Sequence, residues 1–163
     1  MKKNIFTRIL AIALVAMSIM AVAIPAFATY EYNGTVSQNN LPVYASTNTS
    51  STVIGHYSMG ASVHVTTCNN KAWFQVSYGN DNTPGYVRAK YIGILSGYAS
   101  AVVANPSGNF VYLFSTPGNT STGFKKLYNS TSITVLHESY GSYTRVSDGY
   151  HTGWILDSAI YYG

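Results

Sequence analysis

Beyond Ala28, apolar residues recur at every second position in short runs separated by clusters of turn-forming residues. Ser62-Val63-His64-Val65-Thr66 and Ser132-Ile133-Thr134-Val135 alternate in this way, as do Leu41-Pro42-Val43 and Val111-Tyr112-Leu113. Alternation at period two gathers the apolar side chains on one face of an extended chain, so these runs predict half-buried β-strands. No stretch beyond Ala28 carries an apolar face at helical spacing. Asn, Gly, Ser and Pro cluster at residues 39–40, 47–51, 79–84, 106–109, 117–122 and 147–149, where they supply turns. Pro42 lacks an amide proton and fits an edge or a strand start.

The pattern occurs twice. Leu41-Pro42-Val43-Tyr44-Ala45-Ser46-Thr47 leads to Val63-His64-Val65, Trp73-Phe74-Gln75-Val76, Gly85-Tyr86-Val87 and Tyr91-Ile92. Seventy positions later Val111-Tyr112-Leu113-Phe114-Ser115-Thr116-Pro117 opens a second series, with Ile133-Thr134-Val135, Tyr143-Thr144-Arg145-Val146, Gly153-Trp154-Ile155 and Ala159-Ile160 in matching places. The offset shortens by two residues only in the loop at 79–84, where a length change is tolerated. Five or six short strands per unit, an all-β architecture, and two domains at 29–95 and 99–163 are the expectation.

Residues 1–28 read differently. Lys2, Lys3 and Arg8 precede an apolar stretch from Ile9 to Ile24, and Ala26-Phe27-Ala28 offers the small-residue pattern of a signal-peptidase site. The apolar stretch is shorter than the roughly 20 residues of a spanning helix and meets Pro25 at its end, so cleavage after Ala28 and export are predicted. The whole chain carries a net charge of +4, but three of its nine basic residues lie in this segment. The remaining six face five acids, which leaves no basic face for a nucleic acid.

Catalytic chemistry has little to work with. The one cysteine, Cys68, follows a strand pattern at a turn and is matched by Glu138 in the second unit. A thiol nucleophile needs a helix N-terminus or a neighbouring cation and a positioned histidine. As the only cysteine, Cys68 forms no internal disulfide and is read as a free thiol, with an intermolecular link as the alternative. His56, His64, His137 and His151 do not converge in sequence on a four-ligand metal site. Neither paired carboxylates nor a phosphate-cradling glycine loop is present. No catalytic residue, metal or cofactor is predicted.

Both units resemble the bacterial SH3 domain. Leu41-Pro42-Val43, Val53-Ile54-Gly55, Gly60-Ala61-Ser62-Val63-His64-Val65, Trp73-Phe74-Gln75-Val76, Gly85-Tyr86-Val87 and Tyr91-Ile92 follow that family's motif order. The second unit keeps Ile133-Thr134-Val135, Tyr143-Thr144-Arg145-Val146 and Gly153-Trp154-Ile155. It departs from the pattern at Phe124-Lys125, at Ser130 and at Ala159. The resemblance implies two tandem SH3-like small β-barrels. It also implies an aromatic binding groove, drawn from Tyr44, Trp73, Tyr86 and Tyr91 in the first unit and from Phe114, Tyr143 and Trp154 in the second. The pairs Trp73/Tyr143, Tyr86/Trp154 and Tyr44/Phe114 are aromatic in both copies, which suits packing as well as ligand stacking. Since Ala159 removes one wall, the first unit is expected to be the better binder. Taken together, the reading is a secreted, non-enzymatic protein that holds the peptide or glycan of the cell wall. Interaction with another exported protein, as an inhibitor or assembly factor, is the alternative.

Overall fold

A computed structural model describes residues 28–163, so the predicted targeting segment lies outside the described residues except for Ala28. The described chain is all-β. The first repeat forms β1 (Glu31–Val36), β2 (Leu41–Tyr44), β3 (Val53–Tyr57), β4 (Ser62–Thr67), β5 (Trp73–Tyr78), β6 (Thr83–Arg88) and β7 (Ile92–Ile94). The second forms β8 (Ala99–Val103), β9 (Phe110–Phe114), β10 (Gly123–Tyr128), β11 (Ser132–Tyr140), β12 (Tyr143–Ser147), β13 (Thr152–Leu156) and β14 (Ile160–Tyr161). Each repeat is one seven-stranded antiparallel sheet, in the orders β3-β2-β6-β5-β4-β1-β7 and β10-β9-β13-β12-β11-β8-β14. Raising every number of the first order by seven reproduces the second.

Each repeat thus has seven strands rather than the five or six expected. The first strand of each repeat, β1 or β8, lies outside the repeated motifs. In β1 the buried residues Tyr32, Gly34 and Val36 do alternate, but the pattern is broken to the eye by Gly34. A glycine is needed there because a Cβ would stand 2.5 Å from Ile92 Cγ2 on β7. β2 lies inside the sheet order, yet β6 meets it only at Tyr44 opposite Tyr86, so Pro42 leaves no ladder bond unmade on that side.

Residues from nearly every strand of a repeat meet in one core, so each sheet folds over on itself in the SH3-like manner. Leu41, Val43, Val65, Phe74, Val87, Ile92 and Ile94 fill the first core; Leu113, Leu127, Ile133, Val135, Val146 and Ile155 fill the second. The cores are not independent, because Leu136 of β11 belongs to the first.

A polar seam accompanies that contact. The Ile94 amide donates to Ser147 Oγ at 2.8 Å, Thr152 Oγ1 donates to the Ile92 carbonyl at 2.7 Å, and Trp154 Nε1 donates to the Lys71 carbonyl at 3.2 Å. Arg145 is fully buried, with its guanidinium 4.1 Å from the Phe74 ring centroid and its Nη1 2.6 Å from Glu138 Oε1. Lys71 Nζ lies 3.8 Å from the other Glu138 oxygen. Backbone meets backbone at Gly93, where a Cβ would stand 2.1 Å from the Gly149 carbonyl oxygen. Gly149 itself has φ +86°, the left-handed region that favours glycine.

Candidate functional site

In the first repeat, β2 and the turn that follows β6 enclose a shallow groove. That turn is a single 3-10 turn, Ala89–Tyr91, pinned by the Ala89 amide donating to the Ala72 carbonyl at 3.0 Å and by buried Ala89 beneath it. It projects Lys90 and Tyr91 toward Pro42, Tyr44 and Thr49, and Arg88 completes the lining of a cavity of about 320 Å³. The Tyr91 carbonyl accepts from the Ser37 amide at 2.9 Å, which ties the turn to the end of β1.

The rings divide into exposed and supporting ones. Tyr44 and Tyr91 are half-buried and line the groove, whereas Trp73 is 2% exposed and lies behind Tyr44, edge-to-face at 5.4 Å. The Arg88 guanidinium covers the Trp73 ring at 5.2 Å. Tyr86 is half-buried and stands opposite Tyr44 in the ladder, outside the groove lining. Trp73 therefore supports the groove without offering a face to a ligand.

In the second repeat the corresponding rings do not make a groove. Phe114 and Tyr143 are half-buried and meet edge-to-face at 6.2 Å, in the manner of Tyr44 and Trp73. Trp154, opposite Phe114, is 0% exposed because the first repeat covers it through the Lys71 carbonyl and Arg145 lies 5.4 Å from its centroid. No ligand can stack on it in this arrangement, so its ring serves packing. Arg88, Lys90 and Tyr91 are replaced by Leu156, Ser158 and Ala159, which removes both cations and the outer ring.

Of the four first-repeat rings that the resemblance implies for a groove, Tyr44 and Tyr91 line this cavity and Trp73 and Tyr86 do not, while its charges, Arg88 and Lys90, were not among the residues named. Lys90 Nζ sits 4.8 Å above the Tyr91 ring and 5.8 Å from Phe124 of the second repeat, so this cation lies near the seam. The groove lining holds Arg88 and Lys90 and no carboxylate, which suits a ligand that carries negative charge beside an apolar surface. The signal was available in Arg88-Ala89-Lys90-Tyr91, two cations interleaved with the closing tyrosine.

The remaining candidate chemistry is quiet. Burial pushes the Cys68 thiol up, against a smaller opposing effect of the Asn70 backbone. Among the described residues no three His, Cys, Asp or Glu side chains gather as a metal site. His64 is exposed and meets Glu31 at 3.4 Å and Asn33 at 3.2 Å.

Residues 39–93 match the family model of the bacterial SH3 domain, a segment that contains the whole groove except Gln38. No curated protein matches the chain. Among solved structures, NlpC2 from Trichomonas vaginalis aligns at 15% identity over 82% of this chain and 49% of its own, with a TM-score of 0.35. NlpC1 from the same organism aligns at 16% identity over 85% of this chain and 48% of its own, also at 0.35. The chain thus spans about half the length of either. By motif order and by family model over residues 39–93, the first repeat carries the pattern of the bacterial SH3 domain, and the second repeats its strand order.

Proposed function

We propose that the chain is an exported, non-catalytic binding module that holds a cell-wall component, the peptide or glycan of peptidoglycan, in the groove of its first repeat. The observation that carries this reading is the groove itself. Tyr44 and Tyr91 present partly exposed rings beside Arg88 and Lys90, with no carboxylate in the lining, inside the segment that matches the bacterial SH3 domain. Wall peptides combine carboxylates with short apolar side chains, and this lining offers a partner to each. A protonated, half-buried Cys68 supports a binding role over a thiol-based reaction, since the thiolate is the nucleophile.

Co-sedimentation with purified sacculi tests the proposal. The protein should pellet with the wall, and a Tyr91→Ala, Arg88→Gln variant with an unchanged circular dichroism spectrum should remain in the supernatant. If both pellet equally, or neither does, the groove does not hold the wall. A stoichiometric protein partner recovered from culture medium without wall fragments would move the assignment to protein interaction.

A further inference from the structure

The second repeat carries a row of rings, three of which, Phe110, Tyr112 and Tyr128, the first lacks at the equivalent positions. On β9, Phe110 and Tyr112 meet at 5.5 Å and Tyr112 and Phe114 at 6.4 Å; Tyr128 of β10 joins Phe110 at 6.0 Å, and Tyr143 of β12 joins Phe114 at 6.2 Å. The row is open to solvent where it matters, with Tyr112 41% and Tyr128 59% exposed. Lys126 stands opposite Tyr112 and holds its ammonium 4.3 Å from the Phe110 centroid and 5.7 Å from that of Tyr112. Neither β9 nor β10 contains a carboxylate.

The fold does not require these rings. Tyr112 pairs with Lys126 as Pro42 pairs with His56, and the same register sets Phe110 and Tyr128 against Asn40 and Ser58. The first sheet closes in the same strand order with Asn40, Pro42 and Ser58 where the second has Phe110, Tyr112 and Tyr128. Aromatic surface exposed without an architectural duty is surface kept for contact.

We infer that this row is a second binding face, separate from the first-repeat groove, for a linear polysaccharide that carries carboxylate groups. An extended peptide would gain most of its affinity by hydrogen-bonding along the free edge of β10, in the plane of the sheet. These rings stand on the face of the sheet instead, out of that plane. A pyranose ring presents a flat patch of C–H groups to an aromatic face and keeps its polar groups at the rim, and successive sugars of one chain match successive rings. Lys126, set among the rings with no acid on either strand, selects chains bearing negative charge.

Isothermal titration in 0.15 M salt, where long-range attraction is screened within about 8 Å, tests this with two polymers of one backbone, carboxymethyl cellulose and neutral hydroxyethyl cellulose. The protein should bind the carboxylated polymer more tightly. Tyr112→Ala with Tyr128→Ala should weaken that binding about tenfold or more, a loss of about 1.4 kcal/mol or greater. Lys126→Gln, which leaves every ring in place, should weaken it for the carboxylated polymer alone. Tyr91→Ala should leave it unchanged, so that failure here is distinguishable from failure of the groove on sacculi. The inference is overturned by equal binding of the ring variant and the parent, by equal or tighter binding of the neutral polymer, or by binding of neither.

Discussion

Position 42 of the first repeat and position 112 of the second occupy equivalent rungs of the two sheets, and one is a proline in a groove while the other is an exposed tyrosine in a ring row. The divergence recurs wherever a side chain leaves the core. Gln75 and Arg145 are equivalent, as are Cys68 and Glu138, but only the second-repeat pair is a buried ion pair pressed against the sister repeat. Tyr86 remains half-buried while Trp154 is sealed. Duplication has preserved the strand order and released the outward positions. The second repeat lacks the cations and outer ring of the first-repeat cavity, buries Trp154 and Arg145 against the first repeat, and carries exposed rings on β9 and β10.

The largest test of that contrast is Arg145→Ala. It leaves Glu138 buried without its closest partner, for which about 3–5 kcal/mol is the usual cost, whereas Gln75→Ala on the equivalent rung should cost under about 1 kcal/mol. Urea unfolding of both variants measures the difference. Replacing Arg145 by Met together with Glu138 by Leu should recover much of the loss, because apolar substitutes remove the uncompensated charge.

Gly93→Ala comes next. Its Cβ would meet the Gly149 backbone, not a flexible side chain, so the repeats must part slightly, at a cost of about 1–3 kcal/mol. The equivalent residue in the second repeat is Tyr161, which is 60% exposed, so Tyr161→Ala should leave the urea midpoint close to that of the parent. Equal effects at the two positions would mean that the glycine serves its own sheet rather than the seam.

The smallest effect concerns Asp148, in the loop that meets Gly93. Burial alone would raise its carboxyl, but hydrogen bonds from the His151 side chain and the Tyr150 and His151 amides outweigh that and hold it below the ordinary range. Because its folded value is the depressed one, Asp148 stabilises the fold above the unfolded carboxyl value of about 4, and this contribution is lost as pH falls through the lower folded value. Asp148→Asn should therefore reduce stability at pH 7, and the gap to the parent should close as the solution is acidified. A gap that widens in acid would reverse the assignment.

Much of this architecture was legible from local pattern. Val63, His64 and Val65 alternate as β4 does, and the turn at Cys68 lies directly after Thr67. Of the rings that the resemblance grouped in the first repeat, Tyr44 and Tyr91 share one cavity lining, whereas Trp73 and Tyr86 lie outside it. What stayed hidden depends on contacts between repeats. Nothing near Trp154 in sequence shows that Lys71, 83 positions earlier, caps its indole. Nor does Arg145, an ordinary polar rung of an alternating strand, reveal that Phe74 and Glu138 bury it. The row through Phe110, Tyr112 and Tyr128 was visible as residues but not as a surface, because it needs the β9–β10 register to place Tyr128 beside Phe110.

A nitrogen-15 NMR titration with soluble peptidoglycan fragments tests most directly the claim that the repeats share a fold and differ in their binding sites. The amides of Tyr44, Thr49, Arg88, Lys90 and Tyr91 should shift, with the equivalent Phe114, Leu156, Ser158 and Ala159 unmoved. Shifts of equal size at both sets, or at the second set alone, would contradict it.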